Sequence, residues 1–186
     1  MQRNDLLVWV DLEMTSVTDV LVDRITEIAV VLTDKDLAIV AKLPSILIHT
    51  DLDFYTARKR PEMLDTQNQI ELMNDAAAST VTMEEAEQQA LSFVKEHTVP
   101  QSAPLCGNSI HTDRHFLRMQ MPKFEQHLFY RCIDVSSLKE LARRWAPEVY
   151  EEVVQRKGES AHRATDDILQ SIDELRFYRE HFLRTP

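Results

Sequence analysis

VWVDLEMT, residues 8–15, contains the end of an apolar run that stops at Asp11, and a second acidic residue, Glu13, follows two positions later. The run begins at Leu6, and runs rich in β-branched and aromatic residues predict strands. Side chains two positions apart on a strand point to the same face, so Asp11 and Glu13 should project together from its end. This pair is either a solvated strand end or part of a divalent-metal site, and a lone Asp-x-Glu does not decide between them.

Strand and helix patterns follow this first strand in a definite order. Two apolar runs, 24–34 and 37–50, surround the polar turn DKD and predict a β-hairpin. Residues 51–80 are polar and are expected to form a loop with one or two short helices. Two short strands are then predicted at 103–109 and 130–137, with helices at 82–97, 113–121, 137–146 and 162–182. This order predicts one α/β domain over residues 1–186, with a five-stranded mixed sheet flanked by helices.

Two of these helices carry specific signals. Thr82 followed by Glu85 is the pattern of a capping box, which marks a helix start. The terminal helix is predicted to bury a stripe made of Ala164, Ile168, Ile172 and Leu175. At about 100° per residue, Asp167 falls on the flank of that stripe and Asp166 points away from it. Asp167 can therefore reach a site beside the sheet, whereas Asp166 should be solvated.

Composition limits the classes of function that are open to the chain. Its 31 acidic and 21 basic residues give a formal net charge of −10, which argues against binding long nucleic acid through phosphate contacts. A very short piece of nucleic acid remains compatible if its charge is neutralised locally. The chain has no apolar stretch of membrane-spanning length, so we expect no membrane partner. Cys106 and Cys132 are expected to be buried free thiols, which indicates a cytoplasmic location, or a mitochondrial one if a precursor segment was removed.

Further residues could complete a metal site. Asp113 follows a Gly-Asn turn at a predicted helix start, where complementing the helix dipole is an alternative role. With Asp11, Glu13 and Asp167 it makes four carboxylates, the ligand type that Mg²⁺ and Mn²⁺ prefer. Two such cations can hold the attacking and leaving oxygens of a phosphodiester hydrolysis. His162 could accept the proton of the attacking water, although a lone histidine at a helix start is usually a capping or surface residue.

The segments around these residues resemble those of the DEDDh exonucleases, and within them the oligoribonuclease family. Four segments that match in the family's order are VWVDLEMT, GNSIHTDRHFL, YRCIDVSSLKELARRW and HRATDDI, and the similarity covers most of the chain. The resemblance implies an RNase H-like fold, a homodimer and 3′-to-5′ degradation of very short RNA, dinucleotides above all. The implied partner is single-stranded RNA of two to five nucleotides rather than long duplex nucleic acid.

The resemblance also implies the residues of a hydrolytic centre. The implied ligands of two divalent cations, Mg²⁺ or Mn²⁺, are Asp11, Glu13, Asp113 and Asp167. His162 is implied as the general base. Tyr130 matches a family tyrosine that reaches the active site of the neighbouring subunit, although without the family match it could equally be a strand residue packed in the core.

Other positions match the family's substrate contacts. Arg131 and Ser136 match positions near the 5′ phosphate of the substrate, and Ser109 is a weaker match there. Val17 falls where the family usually has a leucine that wedges against a base. Without the family match, Arg131 could also be an ordinary solvated side chain.

The chain departs from the family pattern in two places. The family usually reads Met-Thr-Gly after the acidic pair, whereas this chain has serine at position 16, and the loop 16–22 also differs. Residues 60–80 are shorter and lack tryptophan and histidine motifs common there. Both differences concern base stacking, substrate affinity and length preference rather than hydrolysis. Two alternatives therefore stay open, a DEDDh exonuclease for longer RNA or DNA 3′ ends and a non-catalytic nucleotide-binding homodimer.

Overall fold

The computed structural model describes residues 2–58, 67–156 and 163–183. Its strands are β1 (Leu7–Met14), β2 (Ile25–Thr33), β3 (Ile39–Leu47), β4 (Pro104–Gly107) and β5 (Phe129–Asp134). The helices of the described ranges are α1 (Leu52–Arg58), α2 (Gln67–Ala78), α3 (Met83–His97), α4 (Ile110–Gln120), α5 (Pro122–His127), α6 (Val135–Trp145), α7 (Pro147–Arg156) and α8 (Ala164–His181). The short helices expected within 51–80 are thus α1 and α2.

The strands form one sheet in the order β3-β2-β1-β4-β5. β2 pairs antiparallel with both β1 and β3, whereas β4 pairs parallel with both β1 and β5. The hairpin predicted around DKD is therefore confirmed, and its turn includes Leu37 with a left-handed φ of 66°. The predicted α/β class, a five-stranded mixed sheet flanked by helices, is confirmed as well.

Helices cover both faces of the sheet. The β1 face that carries Val8, Val10 and Leu12 packs against α3, α4 and α5 in one buried cluster. The opposite face, which carries Trp9, packs mainly against α6 and α8 in a second cluster. Because side chains alternate along a strand, Asp11 and Glu13 continue the Trp9 face beyond the apolar core. β1 therefore presents both carboxylates on the side of the sheet that α8 covers.

Two helix starts test the sequence predictions. The capping box of α3 is confirmed, because the Glu85 N–H donates to Thr82 Oγ1 at 3.2 Å and the Thr82 N–H donates to Glu85 Oε2 at 2.9 Å. The predicted start of α4 at Asp113 is wrong, since the helix begins at Ile110. Ser109 adopts a left-handed φ of 50°, which turns the chain sharply after β4 and places Asp113 inside the first turn.

The two cysteines are both free but differ in burial. Cys106 on β4 is buried, as predicted, whereas Cys132 is exposed, so the expectation of two buried thiols is wrong for Cys132. The reason is that β5 is an edge strand, with three consecutive residues on the surface. Among the described helices, none is long and apolar enough to cross a membrane.

Candidate active site

Three of the predicted carboxylates meet at the end of β1. Asp11, Glu13 and Asp167 each offer an oxygen atom, and these oxygens all lie within 4.8 Å of one another. Asp167 arrives from the first turn of α8, whose predicted stripe is buried against the Trp9 face of the sheet. Asp166 is exposed, as its helical angle predicts. Asp166 and Asp167 therefore both face as the helical periodicity predicts.

Asp113 approaches β1 from the other side of the sheet, because α4 packs on the face opposite to α8. Its side chain is only 6% exposed and its Oδ1 accepts a hydrogen bond from the backbone N–H of Leu12 at 3.0 Å. Leu12 separates Asp11 from Glu13 in the sequence. Asp113 is therefore fixed to the backbone between the two acidic residues of β1.

The negative charges of this cluster oppose one another. Burial raises the pKa of Asp11 well above its ordinary value, and the neighbouring charges of Asp113 and Glu13 raise the same pKa further. Burial likewise raises the pKa of Asp113 from 3.8 to about 7. A divalent cation bound between the carboxylates would relieve this repulsion, and Mg²⁺ and Mn²⁺ take oxygen ligands of this kind. The donor set therefore fits the expected cations.

Two further buried residues, which were not predicted from the sequence, lie beside the cluster. Glu27 pairs with Glu13 across β1 and β2, and its side chain is 1% exposed. Tyr55 of α1 is fully buried beside Thr26, and burial raises the pKa of its hydroxyl above the usual range. One signal was visible for Glu27, because it is an acid inside the otherwise uncharged strand sequence ITEIAVVLT. A charge in the middle of a buried strand needs a specific partner.

The predicted serines lie together at the carboxyl ends of β4 and β5. The hydroxyl oxygens of Ser109 and Ser136 are 3.1 Å apart. The Ser109 N–H donates to Asp134 Oδ1 at 3.0 Å, and the Ser136 hydroxyl donates to Asn108 Oδ1 at 3.0 Å. Ser109 is exposed, so the pair forms an ordered polar surface that a ligand can reach.

Tyr130 and Arg131 occupy a bulge on β5. Phe129 pairs with Pro104 and Cys132 with Leu105, so the two residues between have no counterpart on β4. Both are exposed, and the Arg131 guanidinium lies 5.3 Å from the centre of the Tyr130 ring. A strand bulge of this kind re-aims side chains, and here it presents an aromatic ring and a cation on the surface.

Arg114 holds this bulge in place from α4. The residue is 6% exposed, and its guanidinium donates to the carbonyl oxygens of Phe129 at 2.9 Å and Tyr130 at 2.8 Å. Its Nε donates to Glu125 Oε1 at 2.8 Å. Arg114 follows Asp113 in the sequence, so one turn of α4 contacts both the acidic cluster and the bulge.

The register of the sheet separates the bulge from the cluster of the same chain. Cys132 is level with Leu105, which is level with Val8 two strands away. With rises of about 3.3 Å per residue and strands about 4.8 Å apart, the Tyr130 backbone lies at least roughly 14 Å from Asp11. The structure therefore does not bring Tyr130 to the carboxylates of its own chain.

A buried carboxylate orders the loop that follows β1. Asp23 is 0% exposed and accepts hydrogen bonds from Arg58 Nε at 2.7 Å, the Asp19 N–H at 2.8 Å and the Thr18 hydroxyl at 3.2 Å. Val17 of the same loop is 58% exposed. Its side chain is thus available at the surface close to the end of β1.

His162, the expected general base, lies outside the described residues, as does part of the atypical segment 60–80.

Comparison with known proteins identifies relatives over almost the whole chain. Residues 8–175 match the exonuclease family model RNase_T. A protein from Halorhodospira halophila named oligoribonuclease is 49% identical over 185 residues, covering 97% of this chain and 96% of the relative. A protein from Mus musculus named mitochondrial oligoribonuclease is 44% identical over 187 residues, covering 96% of this chain and 73% of that one.

Solved structures match the fold at much lower identity. Exonuclease I from Methylocaldum szegediense superposes with a TM-score of 0.65 at 18% identity and covers 95% of this chain. Exonuclease I from E. coli in complex with an oligonucleotide gives a TM-score of 0.68 at 14% identity and covers 94% of this chain. This chain spans 41% of the length of each of those structures. These similarities support the RNase H-like architecture of the sheet and its helices.

Proposed function

Because this chain belongs to the exonuclease family, and within it to the oligoribonucleases, we propose that it hydrolyses very short RNA from the 3′ end and releases 5′-mononucleotides. The substrate class follows from the names of its relatives and from the net charge of −10, which suits a short substrate better than a long one. The single observation that carries the proposal is the carboxylate cluster of Asp11, Glu13 and Asp167.

In the proposed mechanism, Asp11, Glu13 and Asp167 would hold divalent cations, with Asp113 as the fourth acidic residue. When bound, these cations would polarise the scissile phosphate and lower the pKa of an attacking water. Asp113 also accepts a buried hydrogen bond from the Leu12 N–H, which fixes the β1 backbone between Asp11 and Glu13.

We assign the general base to His162 on the basis of the sequence alone. A neutral imidazole has a reference pKa of about 6.5 and can take a proton from water near neutral pH. The base removes a proton from the attacking water as the water oxygen bonds to the phosphorus of the terminal nucleotide. The bond from that phosphorus to the 3′ oxygen of the preceding nucleotide breaks, and this oxygen takes up a proton from solvent. This order of events yields a 5′-mononucleotide and a chain shortened by one nucleotide.

The serine pair gives the proposed enzyme a way to measure substrate length. The Ser109 hydroxyl can donate to a 5′ phosphate, and the Ser136 hydroxyl can do so when it gives up its hydrogen bond to Asn108 Oδ1. Asp134 Oδ1 keeps both serines in place by accepting from their backbone N–H groups. We propose Arg131 as a cation for the same phosphate. Val17 would contact a base at the other end of the substrate. Contacts at both ends of the substrate would favour a short oligonucleotide over a longer chain.

We further propose that the active unit is a homodimer in which Tyr130 serves the neighbouring subunit. Tyr130 is 66% exposed and is therefore not a strand residue packed in the core. The register of β4 and β5 keeps it away from the carboxylates of its own chain. A symmetric pairing of two chains could carry the exposed bulge to the partner's substrate.

Two broader aspects of the proposal concern the chain as a whole. We propose that residues 1–186 form a single exonuclease domain, because the described helices pack on both faces of one sheet. We also propose a cytoplasmic location, since free thiols such as those of Cys106 and Cys132 persist in reducing compartments.

A length series of substrates tests the proposed function. Single-stranded RNAs of two to ten nucleotides, and DNA of the same sequences, are incubated with Mg²⁺, with Mn²⁺ or with a chelator, and the products are separated by chromatography. We expect the fastest hydrolysis for the RNA dinucleotide and none with the chelator. A faster reaction on the longest substrates would instead support an exonuclease for long 3′ ends, and binding without hydrolysis would support a non-catalytic protein.

A further inference from the structure

The helix that carries Asp167 is not capped by its own sequence. Arg163 precedes α8 at the N-cap position, and an arginine side chain has no hydrogen-bond acceptor with which to cap a helix. The backbone N–H of Ala164 is instead directed at Glu27 Oε2, 3.5 Å away on strand β2. A carboxylate from another part of the chain therefore lies beside the first backbone N–H of α8, where its charge complements the helix dipole.

Glu27 is held by several groups at once. Its carboxylate accepts a hydrogen bond from the Ser45 hydroxyl of β3 and lies 3.4 Å from an Arg163 guanidinium nitrogen. The other arm of the same guanidinium reaches Asp75 Oδ2 of α2 at 3.2 Å. Because Glu27 is 1% exposed, losing these contacts would leave a buried charge and a buried N–H without partners.

The position of Glu27 connects the two sides of the acidic cluster. It pairs with Glu13 in the register of β1 and β2, and it contacts the residue that begins α8. Asp167 lies in the first turn of that helix. The strand that carries Glu13 and the helix that carries Asp167 are thus joined through one buried side chain.

We propose that Glu27 is a positioning residue that fixes the first turn of α8 against β2 and thereby sets the location of Asp167 relative to Glu13. The inference rests on the proposed function, because it takes these carboxylates as cation ligands. Groups that orient ligands from outside the coordination sphere typically change metal affinity or activity by roughly 10- to 100-fold when they are altered.

Length and charge of the side chain can be separated by two substitutions. Glu27→Asp keeps the charge but withdraws the carboxylate by one methylene, whereas Glu27→Gln keeps the length and one acceptor oxygen but loses the charge. A positioning role predicts that Glu27→Asp weakens cation binding more than Glu27→Gln does. A role through the negative charge alone predicts the reverse order, with Glu27→Asp close to wild type.

The experiment measures Mn²⁺ binding by calorimetry without substrate, together with kcat and KM for an RNA dinucleotide. We expect Glu27→Asp to lower Mn²⁺ affinity and kcat by roughly 10-fold or more with little change in KM, and Glu27→Gln to lose less. Asp75→Asn is the matched control, because it removes the other partner of Arg163 and leaves Glu27 in place. Circular dichroism and thermal unfolding check that each variant is folded.

If Glu27→Asp fails to fold, Ser45→Ala removes one donor to the same carboxylate and should give a smaller loss of the same kind. Wild-type Mn²⁺ affinity in folded Glu27→Asp, or in Ser45→Ala where that variant replaces it, would overturn the inference while leaving the proposed function intact. Asp167→Ala, made in an otherwise wild-type chain, tests the proposed site itself. If this variant binds Mn²⁺ as tightly as the wild type does, the proposed site is wrong, and the two failures are thereby distinguished.

Discussion

Replacing Asp113 with asparagine should stabilise the cation-free protein while it abolishes hydrolysis. The Asp113 side chain is buried, and its pKa is raised from 3.8 to about 7 because burial disfavours the charged form. An asparagine in the same place can still accept the hydrogen bond from the Leu12 N–H through its amide oxygen. The variant therefore keeps the hydrogen bond to β1 and loses the buried charge and the proposed cation ligand.

The sign and the size of the effect follow from this pKa. Because the folded state holds the proton more tightly than the unfolded chain, the wild-type free energy of unfolding should fall as pH rises from 3.8 to about 7. The whole change corresponds to roughly 4 kcal/mol, at about 1.36 kcal/mol per pH unit. The variant lacks this group, so its stability advantage should grow by roughly 3 kcal/mol between about pH 5 and about pH 8.

Urea unfolding in the presence of a chelator measures this difference at both pH values. Asp166→Asn is the control, because it removes a charge from an exposed position and should follow the wild-type profile. Excess Mn²⁺ should restore stability to the wild type at the higher pH but not to the Asp113 variant, because a ligand that binds only the folded state stabilises it. If the free energy of unfolding varied with pH in the same way for wild type and Asp113→Asn, burial of the charged Asp113 carboxylate would not destabilise the fold, and the prediction would be refuted.

Three further predictions concern catalysis. Asp167→Ala should abolish hydrolysis, whereas Asp166→Ala should lower kcat only slightly. The opposite result would contradict the orientation of α8 that turns Asp167 towards the cluster and Asp166 towards solvent. Activity should fall below about pH 6.5, and His162→Asn should lower kcat by roughly 10²- to 10⁴-fold and remove that acid limb; an unchanged limb would exclude this base. Mixing inactive Tyr130→Ala and Asp11→Ala chains should recover up to about a quarter of wild-type activity, because each heterodimer keeps one complete site; no recovery in confirmed heterodimers would mean that Tyr130 does not act across the interface.

Local signals in the sequence predicted most of the fold. The hairpin around DKD and the capping box at Thr82 and Glu85 depend on residues close in the chain, and both are confirmed. The position of Asp11 and Glu13 on one face of β1 follows from strand alternation, which is equally local. Helical periodicity also distinguished Asp167 from its neighbour, because the buried stripe of α8 fixes which side of the helix meets the sheet.

Other features depend on which elements pack together, and the sequence alone did not predict them. Strand alternation says nothing about the face from which Asp113 approaches, since that depends on α4 packing opposite α8. Burial of Cys132 was predicted from an apolar neighbourhood, but the position of β5 at the sheet edge exposes it. Local patterns cannot specify the order of strands in a sheet, because that order is decided by contacts between distant segments.

The sequence by itself determined the acidic residues and the elements that carry them, whereas the tertiary structure decided how those elements are held together. The contact of Glu27 with the start of α8 joins residues separated by 137 positions of the same chain. No periodicity or local motif can encode such a contact. It arises because a buried carboxylate and an uncapped helix N-terminus each need a partner, and the packing of α8 on the sheet places them side by side.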